Sequence, residues 1–323
     1  FLVVGGVGYI MGGVEQAVSA VALFALAGFR VAPSVTRLQS VIASMSGVAQ
    51  YPERVVNELD DAEKGASEAN ERVSRELGDR PSRLMLRDVT FKYDGTGDVA
   101  IRGLTLDIPF GSTVAIVGES GAGKSTLVDL ILGLLEPTSG SISIDDVPLV
   151  EARQSWRKRV GYVPQDVAVF DSTIGQNVAL TWGDDYDRDR ARTALEQAQL
   201  WELVDTKKGG LDASVGERGL ALSGGQRQRL GIARALYTQP LVLVLDEATS
   251  ALDSHTESQV TNAIAAIGGG VTRVVVAHRL ATVRASDTIF YLQDGRLAGQ
   301  GTFDELVSGH EEFARQARLA GLA

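Results

Sequence analysis

No cysteine occurs anywhere in the 323-residue sequence. Disulfide bonds and thiolate metal sites are thereby excluded. Histidine is scarce as well, and three residues argue against a His-rich metal centre. Nor is positive charge in excess: 31 Lys and Arg stand against 41 Asp and Glu, a formal net charge of −10, and no long basic run occurs. Electrostatic support for nucleic-acid binding is therefore missing. Internal repeats and low-complexity segments are absent too. What is present is enough chain for one large or two ordinary domains, with an apolar share of 44% that is usual for a globular protein.

That apolar share is uneven. Phe1 to Phe29 carries a single charged residue, Glu15. The first residue is Phe rather than Met, which together with the apolar start suggests a chain that begins inside a longer protein. The rival reading, a cleaved signal peptide, lacks its charged n-region. Phe1 to Val14 is Gly-rich and too short to cross a bilayer alone, as the end of a truncated membrane helix would be. From Val14 to Ala32 the run approaches spanning length, with Arg30 and Arg37 at the end that suits a cytoplasmic exit. A buried hairpin of a soluble domain is the other reading. From Pro33 to about Glu76 apolar residues recur at roughly helical spacing. Asp60 to Pro81 is charged and reads as a solvated linker. The expected organisation is an α-helical transmembrane remnant at 1–60, a linker at 61–83 and a second domain at 84–323.

From Leu84 onward the pattern alternates. Strands are expected at 84–86, 89–91, 104–106, 141–144, 160–163, 241–245, 274–277 and 288–292. Helices are expected at 125–135, 187–200, 224–237, 254–267 and 302–309. This is an α/β domain with a mainly parallel central sheet.

The most informative run is Gly118-Glu119-Ser120-Gly121-Ala122-Gly123-Lys124-Ser125-Thr126. It fits G-x-x-x-x-G-K-[ST], the phosphate-binding loop, and it lies between a buried strand (Val114 to Val117) and a helix start. The glycines let backbone N–H groups close around phosphate oxygens, and the helix N-terminus adds the positive end of its dipole. Lys124 places a point charge on the β- and γ-phosphates, and the Ser125 hydroxyl gives Mg²⁺ an oxygen ligand. Further on, Leu241-Val242-Leu243-Val244-Leu245-Asp246-Glu247 is five apolar residues ending in two carboxylates. A strand buried on both faces delivers such acids at the ligand-binding edge of a parallel sheet. Asp246 suits Mg²⁺, and Glu247 could orient or deprotonate an attacking water.

About a hundred residues after the phosphate loop, and just before Asp246, stands Leu222-Ser223-Gly224-Gly225-Gln226. With this run the chain, over about Leu84 to Leu319, resembles the nucleotide-binding domain of an ATP-binding cassette (ABC) protein. The resemblance implies a P-loop NTPase fold with an antiparallel β subdomain and a helical signature subdomain. It implies ATP and Mg²⁺ as cofactors. Tyr93 matches the aromatic residue that stacks on adenine. Gln165 matches the glutamine that touches Mg²⁺ and the attacking water, which makes Ser125, Gln165 and Asp246 the metal set. Asp253, in Ser250-Ala251-Leu252-Asp253, matches the loop that crosses the dimer interface, and His278 matches the switch histidine near the γ-phosphate. Glu247, His278, Gln165 and Lys124 are then the catalytic group. Gly118, Ser120 to Thr126, Tyr93, Asp246, Asp253, Gln165 and the signature residues Ser223 to Gln226 bind the nucleotide.

Ser223, Gly224 and Gly225 open a helix, so their N–H groups and the hydroxyl can meet an anion. In the family that anion is the γ-phosphate held by a partner subunit, so two ATP molecules lie between two domains. Val215-Gly216-Glu217-Arg218-Gly219 resembles the segment found in exporters. The apolar N-terminus is similar to the last helical hairpin of an exporter membrane domain. The implied protein is an exporter subunit of the plasma (inner) membrane, multi-pass, with a cytoplasmic ATPase. Its partner is a second half-transporter, as homodimer or heterodimer, and nucleic acid is not a partner. A soluble ABC ATPase and a separate importer ATPase are the alternatives. Leu26 to Ser34 resembles flippases of lipid-linked oligosaccharides, beside drug, lipid or peptide exporters.

Replacing Lys124 by Ala is expected to weaken nucleotide binding about 10- to 100-fold, the worth of one charged hydrogen-bonding group. Titration calorimetry with ATP checks it, and an unchanged affinity would remove the phosphate-loop reading.

Overall fold

The computed structural model describes residues 1–71, 75–93, 95, 97–216, 222–246, 257, 260–261, 263–264, 267, 270–277 and 280–322. Side chains of the first helix are described to Ser44 and at a few positions beyond. The chain divides into two units, Phe1–Val73 and Ser74–Ala323.

The first unit is one helical element, α1 (Leu2–Glu71), broken at Gly12 (φ −170, ψ 21) and Gly13 (φ 81, ψ −163). The break reverses the chain. Phe1 and Phe24 meet edge to face at 5.7 Å, and a Cβ on Gly8 would lie 2.9 Å from the Ala17 Cα. Gly8 is buried because the second arm passes directly over it; a side chain there would push the two arms apart. Leu2–Ser44, with a mean hydropathy of 1.7, is long and apolar enough to cross a membrane by length and composition. The helix runs unbroken past Pro33 and on to Glu71. Residues 61–71, whose charge pattern reads as linker, are therefore helical. Charged residues at helical spacing and a solvated linker look alike in sequence.

The second unit holds two sheets. β1 (Arg83–Lys92), β2 (Val99–Pro109), β4 (Ser139–Ile144) and β5 (Val147–Pro148) form an antiparallel sheet in the order β2-β1-β4-β5. β3 (Thr113–Gly118), β6 (Val160–Val163), β7 (Val242–Asp246), β8 (Thr272–Val276), β9 (Thr288–Gln293) and β10 (Arg296–Gly301) form the central sheet in the order β10-β9-β3-β8-β7-β6. All pairs in it are parallel except β9 with β10. The two short strands expected at 84–86 and 89–91 are one strand with a bulge between them. Asp88 sits there at φ 49, and its N–H donates to the Thr105 hydroxyl.

The helices are α2 (Lys124–Ile131), α3 (Leu149–Arg157), α4 (Ile174–Ala179), α5 (Arg188–Gln197), α6 (Trp201–Thr206), α7 (Gly224–Tyr237), α8 (Leu280–Val283), α9 (Phe303–Gly309) and α10 (Glu311–Leu319). α4 to α7 share a core that includes Val178, Leu195, Val204 and Leu230 together with Val163, Leu243 and Leu245 of the central sheet; these helices form the helical subdomain. The helix expected at 254–267 falls mostly outside the described residues.

Between the sheets, Trp156 of α3 is fully buried. Its indole N–H donates to the Ile131 carbonyl at 2.8 Å, one of the last carbonyls of α2 and without a helical partner of its own. Phe110 stacks on it at 6.0 Å. Trp156→Phe keeps most of the packing but leaves that carbonyl unpaired and a gap beside it. The expected loss is roughly 2–4 kcal/mol, read as a lower denaturant midpoint with an unchanged slope.

Candidate nucleotide site

Four parallel strands, β3, β8, β7 and β6, end on the same edge of the central sheet. Their register is level: Ile116 pairs with Val276, Val276 with Asp246, and Leu245 with Val163. The phosphate loop, Ala277, Asp246 and the Gln165 loop therefore leave the sheet side by side. At about 4.8 Å per strand, Asp246 stands roughly 10 Å across the sheet from the phosphate-loop strand. β7 is buried on both faces over Val242 to Leu245, so only its last residue can carry charge to the surface.

The phosphate loop turns into α2 at Gly123, whose φ is 94. A Cβ there would fall 2.7 Å from the Ala100 carbonyl of β2, so glycine is required on both conformational and steric grounds. Two further bonds fix the loop: the Ala122 N–H donates to the Glu119 carbonyl, and the Gly295 N–H donates to the Ala122 carbonyl. Lys124 is buried. Its ammonium donates to the carbonyls of Gly118 and Glu119, each at 2.8 Å. The charge is thus held inside the loop, where a phosphate oxygen would compete for it.

Tyr93 lies at the rim. Its hydroxyl shares a hydrogen bond with the Thr126 hydroxyl at 3.1 Å, and Phe91 meets its ring edge to face at 4.9 Å. The aromatic platform is thereby tied to the first turn of α2. On the far side, the Tyr162 hydroxyl donates to Asp246 Oδ2 at 3.3 Å. Burial, then the neighbouring Asp246 carboxylate, pushes the Tyr162 phenol up to about 12. It therefore stays a donor near neutrality. Burial also raises the carboxyl of Asp129, on α2. Tyr162 is absent from the sequence-based site. Its one sequence signal is an outward position in a four-residue strand just before Gln165.

Ser223 caps α7. Its hydroxyl accepts from the Gln226 N–H, and the Gln226 side chain accepts from the Ser223 N–H. This capping box uses a lone pair of the hydroxyl and leaves its proton to donate outward. α7 is also tied to the Gln165 loop. The buried Gln228 amide donates to the Pro164 carbonyl at 3.3 Å, and the Arg234 guanidinium donates to the carbonyls of Ala168 and Asn177.

Of the residues expected at the site, the phosphate loop, Gln165 and Asp246 lie along one sheet edge, Tyr93 reaches it from the end of β1 in the antiparallel sheet, and Ser223 to Gln226 lie on the helical subdomain. Glu247, Asp253 and His278 fall outside the described residues. Glu247 follows the last residue of β7, and His278 comes two residues after β8.

The sequence and fold are similar to those of known proteins. The family described as ABC transporter matches residues 101–250. A relative named ATP-dependent lipid A-core flippase, from Ralstonia nicotianae, is 43% identical over 250 residues, 76% of this chain and 42% of the relative. ABC transporter ATM1 of Toxoplasma gondii is 43% identical over 70% of this chain and 19% of its own length. A solved structure of a bacterial Atm1-family ABC exporter with ATP bound superposes with a TM-score of 0.69 at 38% identity, covering 76% of this chain and 43% of that one. The chain thus spans less than half the length of these relatives. It carries an ABC transporter domain over residues 101–250 and is similar over 70–76% of its length to ABC transporters and exporters.

Proposed function

We propose that this chain is the ATP-binding and hydrolysing part of a membrane exporter, working as one of two such subunits. One observation carries the reading. The phosphate loop leaves β3, whereas the signature helix α7 packs beside β6, three strand spacings or roughly 14 Å away across the sheet. One chain cannot close both around a single triphosphate, so Ser223 to Gln226 serve the nucleotide of a partner domain. A second copy supplies the matching surface, and a related chain could do so as a heterodimer.

The donor set fits Mg²⁺. The Ser125 hydroxyl, the Gln165 amide and the Asp246 carboxylate offer oxygen only, and Mg²⁺ is usually held by one or two carboxylates together with substrate phosphates. Among the described residues no cluster of three or more His, Cys, Asp or Glu could hold a metal unaided. When bound, the ion would neutralise charge on the β- and γ-phosphate oxygens. Lys124 trades its loop carbonyls for phosphate oxygens. Tyr93 stacks on the adenine. Asp253 belongs to the loop that crosses to the partner. Ser223 donates its free proton to the partner's γ-phosphate. Glu247 takes a proton from the attacking water, with Gln165 and His278 orienting it.

Closure of the two domains favours the nucleotide-bound state, and binding energy is thereby coupled to conformation. The apolar arm within Leu2–Ser44 is the route by which that change reaches a bilayer, with the ATP-binding domain on the cytoplasmic face of the inner membrane. For cargo, the flippase relatives favour a membrane lipid or lipid-linked oligosaccharide over a drug or peptide.

Glu247→Gln is expected to bind ATP, to accumulate as a dimer on size exclusion with ATP, and to turn over at least about 10²-fold more slowly. Turnover near wild type would remove Glu247 as the base. Tyr162→Phe deletes the hydroxyl that steadies Asp246. Its apparent Mg²⁺ affinity should fall about 10-fold while metal-free ATP binding holds, as metal titrations at fixed ATP would report.

A further inference from the structure

A small hydrophobic core lies behind the nucleotide site, separate from the other two. It joins Val117, the residue before the phosphate loop, to Ala277 and Leu280, which flank the His278 segment. The same cluster contains Tyr291 of β9 and Phe313 and Ala317 of α10. α10 therefore shares a core with the ends of both strands that lead into the site, reaching it through Tyr291 of β9, although it carries none of the nucleotide-binding motifs.

The contacts are specific. Tyr291 pairs in register with Val117 and is buried. His310 meets its ring edge to face at 4.9 Å and Phe313 does so at 5.6 Å. Phe313 is fully buried and also meets Phe303 of α9 at 5.6 Å. α10 is set at its start by His310, whose Nδ1 accepts the Phe313 N–H. The hairpin turn after β9 reaches the loop itself through the Gly295 N–H to Ala122 carbonyl bond. Arg315 of α10 donates to Glu312 at 2.6 Å. The hydrogen bond and charge of Glu312 and, more weakly, the charge of Glu119 of the phosphate loop push the Arg315 guanidinium further up.

We propose that α10 positions the nucleotide site, with Phe313 as the positioning residue that, through Tyr291 and Val117, holds the phosphate loop where ATP needs it. Interiors are close-packed and transmit displacement. A gap at Phe313 would let Tyr291 and Val117 relax, and the loop that Val117 leads into would lose its preset shape. Preorganisation lost in this way appears as weaker binding.

The proposal rests on the nucleotide site described above. The test is titration calorimetry of the full chain in detergent with ATP and Mg²⁺, comparing wild type, Phe313→Leu and Phe313→Ala. Calorimetry reports the active fraction and Kd separately. The expected result is a Kd raised about 10-fold in Phe313→Ala and about 2- to 3-fold in Phe313→Leu, at an unchanged active fraction per folded molecule. A merely structural role would lower the active fraction or the Tm and leave Kd within 2-fold of wild type, and that outcome overturns the proposal. If Phe313→Ala does not accumulate folded, Phe313→Leu decides: a Kd raised by 2- to 3-fold supports the role, and an unchanged Kd overturns it. Wild-type binding that disappears in Lys124→Ala keeps the nucleotide site itself in place whichever way Phe313 falls.

Discussion

Because β3, β8, β7 and β6 all run in one direction, the groups that follow them emerge together on one edge of the central sheet. A single strand reversed would send its acid or its loop to the opposite edge. That shared direction needs crossover connections that cover both sheet faces. The burial of Val242 to Leu245 follows from it, as does the confinement of charge to Asp246 and its successors. The three hydrophobic cores can be read as the cover this arrangement requires. One lies under the antiparallel sheet, one under the helical subdomain and one under α9 and α10.

What was legible in the sequence follows the same logic. An unbroken apolar run with terminal acids reads as a two-sided buried strand because nothing else in a soluble domain tolerates it. The phosphate loop reads directly because its glycines answer backbone needs rather than packing needs. Less legible were features set by tertiary context. Arg296–Gly301 carries two glycines and weak alternation, and it is a strand only because β9 lies beside it. The bulge at Asp88 depends on the Thr105 hydroxyl, seventeen residues away. Tyr162 could not be singled out, since its partner Asp246 lies 84 residues along the chain. The role of α10 is likewise invisible locally; its pattern is that of any short amphipathic helix.

The N-terminal unit is built on a different pattern. Its two arms approach closely at Gly8 and Ala17, where small residues let backbones pack without a hydrophobic drive. A soluble hairpin would instead bury larger side chains between the arms. Most of the large apolar residues of Leu2–Ser44 face outward, the arrangement that a lipid environment rewards.

The capping box at Ser223 sets fold stability and ligand binding against each other. As a helix cap, aspartate is as good as serine or better, and it would also complement the dipole. It would, however, turn a carboxylate toward the place proposed for a partner's triphosphate, and it would carry no proton to give. The residue that best completes α7 as a helix is thus the worst neighbour for an anion. Serine does both tasks only because one oxygen can accept inward and donate outward at the same time.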